Sequence, residues 1–336
     1  MSDNGFSCGA LFAGIGGFCA GFEAAGYKTK WATDFDAQVS RTYSENFPET
    51  KFLEEDINDI DFNALEKVDV LHAGFPCQSF SQAGNRKGFD DPRGQLFNVM
   101  IDKIEASSWK PSILVLENSP YIMMGEHGLW FEQIRERISS SGYWFSEHNA
   151  IHIDTNKNCG LPQRRVRLFM FAVRKSEFEF NPLNFIPANV ALENIKDFLE
   201  TDTIHDDQYY LDKENKYGEM LIEAATKLEK HQLVQLRKYY LREIDVGLCP
   251  TLTANMGLGG HNVPFLLDQK GLRKLTEREC LNLQGFDQDF EFPDKLAMGA
   301  KYRMIGNSVS PRVAKLIAEE LKVVLEERVG DYEMAI

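Results

Sequence analysis

Phe6-Ser7-Cys8-Gly9-Ala10-Leu11-Phe12-Ala13-Gly14-Ile15-Gly16-Gly17-Phe18 is the stretch that decides the fold class. Phe6 to Phe12 reads as a strand. A glycine-rich turn follows, and Gly16 to Ala25 reads as a helix stopped by Gly26. Outward from there the same alternation repeats. Tyr27 to Thr33 is a strand and Asp36 to Asn46 a helix. Val68 to Ala73 is a buried strand, Gly94 to Ser107 a helix, Ser112 to Leu116 a buried strand, and Leu129 to Ser140 a helix. Trp144 to Ile153 and Val166 to Val173 read as late strands. Strand–helix alternation of this kind predicts an α/β domain, a parallel sheet with helices on both faces. Ligands of such sheets sit at the C-terminal ends of the strands.

After about Asn181 the pattern changes. Pro182, Pro187, Pro250, Pro264 and Pro293 punctuate irregular sequence. One charged helical segment is expected over Leu221 to Leu241, and a Gly-rich stretch follows at Asn255 to His261. Pro311 to Glu327 carries the apolar stripe of a helix (Val313, Leu316, Ile317, Leu321, Val324) and is expected to pack back on the first domain. The expected division is a first domain over residues 1–180, completed by 301–336, and a second, smaller irregular domain over 181–300.

Among 336 residues, 43% are hydrophobic and 26% charged, the balance of a globular chain with a core. No apolar run is long enough for a membrane span, which needs roughly 18 residues or more, and the first residues have no signal-peptide pattern. Cys8, Cys19, Cys77, Cys159, Cys249 and Cys280 show no CxxC spacing, which argues against a zinc site or a disulfide framework and for a reducing, cytoplasmic setting. The net charge of −14 counts against nucleic acid, since phosphate contacts need Lys and Arg. Its distribution softens this: acids crowd Glu193 to Glu214, while Arg164, Arg165, Arg167, Arg174 and Lys175 cluster elsewhere.

Five motifs carry chemistry. In Phe12-Ala13-Gly14-Ile15-Gly16-Gly17-Phe18 the glycines admit a ligand close to the backbone. Their spacing is not GxGxxG, so a dinucleotide is not the natural reading. Asp34 ends the second strand, where a carboxylate accepts from ribose hydroxyls, and Asp56 follows the third strand. Each acid alone also reads as a cap or turn residue. Gly74-Phe75-Pro76-Cys77-Gln78-Ser79-Phe80-Ser81 places Cys77 just past a strand end. A polar, basic loop containing Arg86, Lys87 and Arg93 follows it. A thiol there needs a positive or dipolar neighbourhood to act as a thiolate; otherwise it is an inert buried cysteine. Glu117-Asn118-Ser119-Pro120 places a carboxyl at the end of the next strand, able to hold or donate a proton. In Gln163-Arg164-Arg165-Val166-Arg167, strand alternation would put Arg165 and Arg167 on one face. Tyr302-Arg303-Met304-Ile305-Gly306-Asn307-Ser308-Val309 precedes the last helix. Its Asn307 and Ser308 read either as caps or as ligand contacts. His148 and His152 lie four apart on an expected strand, but no third ligand is spaced for a metal.

In this order, the motifs resemble the cytosine-5 DNA methyltransferases of the compact bacterial and phage kind, from Leu11 to the last helix. Arg273-Lys274-Leu275-Thr276-Glu277-Arg278-Glu279-Cys280 adds to the likeness. The resemblance implies a Rossmann-like S-adenosylmethionine-dependent sheet with a target-recognition domain, and transfer of a methyl group to C5 of cytosine in double-stranded DNA. Cys77 would attack C6 of a flipped base, Glu117 would serve N3, and Arg165 and Arg167 would orient base and acid. Phe12, Gly14, Gly16, Asp34, Phe35, Asp56, Pro76, Asn307 and Val309 would hold S-adenosylmethionine, with no metal. Gln78, Ser81, Arg86, Lys87, Arg93, Thr251, Asn255, Gly257, Gly259 and His261 would touch DNA. The enzyme is expected to act as a monomer, away from membranes. The competing expectations are an RNA cytosine-5 methyltransferase of the same fold and an inactive DNA-binding relative.

Overall fold

The computed structural model describes residues 5–76, 88–211, 218–236, 241–256 and 264–334. The chain divides into two compact units. The first comprises Met1–Ile153, Val166–Pro187 and Pro311–Ile336; the second comprises Asp154–Arg165 and Ala188–Ser310. Three stretches group differently from the expected division: residues 154–165 and 301–310 lie in the second unit, and residues 181–187 in the first.

The first unit is built on strands β1 (Ser7–Leu11), β2 (Lys28–Thr33), β3 (Lys51–Leu53), β4 (Val70–Ala73), β5 (Ile113–Asn118), β6 (Tyr143–Trp144), β7 (Ala150–Asp154) and β8 (Val166–Arg174). They form one sheet in the order β3-β2-β1-β4-β5-β8-β6, with β7 paired to β8. The first five strands run parallel, as expected. β8 runs antiparallel to both β5 and β6, so the sheet is mixed rather than all-parallel. β4 and β5 are covered on both faces, which is why they read as buried strands. The chain steps outward from β1 to β2 and β3, then returns to β4 on the other side. That reversal creates a switch point at the C-terminal ends of β1 and β4, where sheets of this class bind ligands.

Helices α1 (Gly17–Ala24), α2 (Ala37–Asn46), α3 (Pro92–Ala106), α4 (Leu129–Ser140) and α9 (Pro311–Met334) flank the sheet. α9 packs on α1 as expected. A Cβ added at Gly21 would lie 2.4 Å from the Pro311 carbonyl oxygen and 2.5 Å from Ala314 Cβ, and the Tyr27 hydroxyl donates to the Ala318 carbonyl. His72, on β4, lies between the rings of Phe18 and Phe22 of α1, with centroids 4.7 and 5.0 Å away. The expected strand over 144–153 is broken. His148 lies in a 3-10 turn (Glu147–Asn149) locked by Ser146 and Asn149, and only His152 stands on β7. The two histidines therefore do not share a strand.

The second unit holds α5 (Thr155–Cys159), α6 (Gly218–Ala225), α7 (Glu277–Gln284), α8 (Met298–Asn307) and a four-stranded antiparallel sheet. The strand order is β10 (Leu241–Glu243), β9 (Val234–Leu236), β11 (Pro264–Leu267), β12 (Leu272–Lys274). The helix expected over Leu221 to Leu241 is not formed. α6 ends at Ala225, the chain turns through His231 with φ 65°, and Val234 enters β9. Leu221, Ala225, Val234, Phe265 and Leu272 share one small core, and pairing of β9 with β11 outweighs the helical preference of the charged run. This unit is thus more regular than its proline-punctuated sequence suggests. Among the described residues, no helix is long and apolar enough to cross a membrane.

Candidate active site

The parallel register of β4 with β5 pairs Ala73 with Leu116, so the residues just beyond, Gly74 and Glu117, come side by side. A Cβ at Gly74 would lie 3.4 Å from Glu117 Oε2. The Asn118 side-chain amide donates to the Phe75 carbonyl at 3.1 Å. The backbone leading through Pro76 toward Cys77 is therefore fastened to the strand that carries Glu117. Cys77 itself lies outside the described residues, as do Gln78, Ser81, Arg86 and Lys87, and the Arg93 side chain. Across the antiparallel pairing of β5 with β8, Arg167 Nε stands 3.1 Å from Glu117 Oε1, with the two side chains 24% and 12% exposed. A carboxylate and guanidinium this sheltered keep an orienting bond that water would weaken at a surface.

Arg165 is placed differently from the expectation. β8 begins at Val166, so strand alternation does not pair Arg165 with Arg167. Arg165 belongs to the second unit and is buried. Its guanidinium donates to the carbonyls of Leu252, Gly306 and Ser308 at 2.9–3.0 Å. Gln163, whose part in the motif sequence reasoning missed, works beside it. Its amide donates to the Leu283 carbonyl and Gln284 Oε1, and its oxygen accepts from Leu252 N–H. Gln284 in turn donates to the Ser308 carbonyl. These side chains tie the Thr251-Leu252 pair to the end of α8 within one unit. A glutamine next to arginines gave no periodic signal; only its place in the motif marked it.

At the other side of the switch point, Phe12 (φ 53°) and Gly14 turn the chain out of β1. Gly14 N–H donates to Asp34 Oδ2 and Asp36 N–H to Asp34 Oδ1. Burial raises the Asp34 carboxyl above its ordinary value, and these amides pull it partly back. Gly16 needs its glycine twice over: φ is 85°, and a Cβ would strike the Phe47 ring at 2.3 Å. A Cβ at Gly14 would meet nothing within 4 Å, so that turn borders open space. Phe35, directly after Asp34, is 69% exposed. A ring offered to solvent, a half-buried acid and an open glycine turn suit an adenosine-bearing ligand. Asp56 is exposed and its Oδ1 accepts from the backbone and side-chain amides of Asn58, the turn role that was the bland alternative. Asn307, exposed at the end of α8, and Val309, buried, lie in the second unit.

Of the expected DNA contacts in the second unit, Thr251 donates to the Arg164 carbonyl and Asn255 accepts from the Thr253 hydroxyl at 2.6 Å. Gly257, Gly259 and His261 lie outside the described residues. An open cleft of about 480 Å³ in this unit is lined by Glu200, Asp206, Glu277 and Glu291 against Arg278 and Lys301, an acidic surface unsuited to phosphodiesters. Glu200, His205 and Glu279 approach one another with the spacing of a cation site. Both oxygens of Glu279 are already engaged, binding Arg273 at 2.8 Å and capping α7 at Thr276, and Glu200 Oε2 accepts from the Thr276 hydroxyl.

This switch-point geometry, with an acid after β2, a glycine turn after β1 and an acid–guanidinium pair beyond β5, defines a Rossmann-like methyltransferase. The family model for the C-5 cytosine-specific DNA methylase matches residues 6–323, and the chain belongs to that family. It is 39% identical over 316 residues to the Type II methyltransferase M.Bsp6I of Bacillus sp. (strain RFL6), covering 93% of this chain and 97% of that protein. It is 33% identical over 310 residues to the Type II methyltransferase M.HaeII of Haemophilus aegyptius, covering 92% and 90%. Among solved structures, a putative DNA modification methyltransferase encoded within an E. coli prophage matches with TM-score 0.71 at 23% identity, over 96% of this chain and 99% of that one. The S. pombe Dnmt2 methyltransferase matches with TM-score 0.69 at 21% identity, over 95% and 99%. These two likenesses speak for the fold.

Proposed function

We propose that this enzyme transfers a methyl group from S-adenosylmethionine to C5 of cytosine within a specific double-stranded DNA sequence, through a covalent bond between Cys77 and C6 of a flipped base. The observation that carries the reading is the fastening of the chain entering Cys77 to the strand bearing Glu117, with Arg167 bonded to that carboxyl. C5 and C6 are inaccessible inside a stacked duplex, so the base must leave the stack, as the handling of bases by such enzymes requires. The Cys77 thiolate adds to C6 while Glu117 serves N3, which draws electron density from the ring. C5 becomes nucleophilic and would take the methyl carbon as its bond to the sulfonium sulfur breaks, with S-adenosylhomocysteine as the leaving group; C5 then loses its proton to a base. The thiolate leaves C6 and restores the aromatic ring. Splitting the reaction this way replaces one hard step with two easier ones. Arg167 holds Glu117 in the orientation the base requires. When bound, S-adenosylmethionine supplies an electrophilic methyl carbon.

Phe12, Gly14, Gly16, Asp34, Phe35, Asp56 and Pro76 are the first unit's share of the cofactor site in this reading. Arg86, Lys87 and Arg93, with Gln78 and Ser81, contact DNA from that unit; Thr251, Asn255, Gly257, Gly259 and His261 contact it from the second. Type II relatives suggest a restriction partner, and the protein is proposed to act as a monomer. Bisulfite sequencing of plasmid from expressing cells would give the target. Duplexes carrying 5-fluorocytosine at that target should then form a cofactor-dependent covalent adduct with the wild type and none with Cys77→Ser. An adduct of undiminished yield in Cys77→Ser would remove the mechanism, and methylation of transfer RNA in preference to duplex DNA would remove the substrate.

A further inference from the structure

Trp130 stands between two segments, one that begins at Gly88, downstream of Cys77, and one that follows Glu117. Gly88 is the first described residue downstream of Cys77; it is buried and has φ 52°. A Cβ there would strike the Trp130 indole at 2.2 Å from Nε1. Gly125 lies on the segment leaving Glu117, and a Cβ there would strike the same indole at 2.2 Å. One ring, 5% exposed, thus packs against the bare backbone of both segments.

The surrounding chain is arranged to deliver that ring. After Glu117, Ser119 caps a 3-10 turn over Pro120–Met123, and Tyr121 meets the Trp130 ring edge-on. Glu126, His127 and Gly128 then adopt left-handed backbone in succession, with φ of 46°, 57° and 89°. Left-handed backbone is costly for the two non-glycine residues, and such outliers persist where the surroundings demand them. Their effect is to start α4 at Leu129 with Trp130 turned inward. On the other side, Gly88 is held by Asp91 and Gly94: Asp91 N–H donates to the Gly88 carbonyl, and a Cβ at Gly94 would lie 2.0 Å from that oxygen. Phe89, next to Gly88, and Phe75, just before Cys77, both pack on Phe97 of α3.

We propose that Trp130 is a positioning residue: its indole is the spacer that sets where Gly88 is anchored relative to the segment that leaves Glu117. The inference rests on the proposed function, in which nucleophile and acid must address one base. Trp130→Ala opens a gap at the spacer and Gly88→Ala forces it apart, so opposite changes should share one kinetic signature.

The test uses the full-length enzyme and a 5-fluorocytosine duplex in single-turnover adduct formation, with S-adenosylhomocysteine and duplex affinities and thermal melting measured in parallel. Both variants are expected to form adduct about 10²-fold more slowly, since misplacement of reacting groups by about 1 Å costs that much. Cooperative melting and both affinities should stay near wild type, and Trp130→Phe should recover most of the rate. A folded Trp130→Ala enzyme with the wild-type adduct rate overturns the proposal. So does a loss of rate that merely follows a loss of S-adenosylhomocysteine binding, which a general structural role would produce. If Trp130→Ala does not fold, Gly88→Ala decides alone, and an unchanged rate there overturns it. A wild type that forms no adduct sinks the function itself, an outcome seen before any variant is compared.

Discussion

Glu117 meets Arg167 at 3.1 Å beside the backbone of Gly74, and this is where single atoms matter most. Glu117→Gln keeps the shape and can keep the contact with Arg167, but an amide cannot exchange a proton with the base. Single-turnover methyl transfer is expected to fall about 10²- to 10⁴-fold, the usual worth of a positioned acid–base group, with duplex affinity little changed. Asp34 gives a second residue-level expectation. Its raised carboxyl takes up a proton at a higher pH than an ordinary aspartate, and protonation removes an acceptor for ribose hydroxyls. S-adenosylhomocysteine affinity should therefore fall on acidification, beginning above the ordinary aspartate range near pH ~3.9. In Asp34→Asn, calorimetry should show weaker binding at neutral pH and no such acid limb. At this scale the sequence was informative where a residue ended an apolar run: Glu117, Asp34 and Gly14 stand where such runs stop. It was uninformative for Arg165, because nothing in the alternation of QRRVR shows that the chain crosses between units just before Val166.

Elements carry their own tests. α1 and α9 approach closely at Gly21, so Gly21→Ala must push the helices apart. Overpacking of this kind costs about 1–3 kcal/mol, readable as a lower urea midpoint. β4 is threatened by its histidine. Burial lowers the His72 pKa to about 3, against about 6.5 in an unfolded chain. The stability this protects is fully present above pH ~6.5 and is lost as pH falls toward 3, because only the unfolded state takes up the proton, with a slope reaching about 1.4 kcal/mol per pH unit. Urea titrations at neutral pH and at one to two units below should show this loss, and His72→Phe should flatten it. The long buried strands and the amphipathic helices were legible because burial on both faces, or on one stripe, leaves a pattern several residues long. β9, β10 and β12 have three residues each, too few for any period to register, and the charged run before them looked helical in isolation.

For the whole molecule, the net charge of −14 remains the feature that fits nucleic acid least. Contact with DNA must come from locally basic segments, so the logarithm of duplex affinity should fall linearly with the logarithm of salt, by about 0.9 per phosphate neutralised. Fluorescence anisotropy across a salt series measures this, and a flat line would contradict binding through the phosphate backbone. The packing of the last helix on the first has another consequence, one of timing. As the ribosome releases the chain, the residues of the second unit are all available once Ser310 has emerged, while α1, made before them, still lacks its cover. The first unit is interrupted by the second, and until α9 arrives the face of α1 around Gly21 awaits a much later stretch of its own chain.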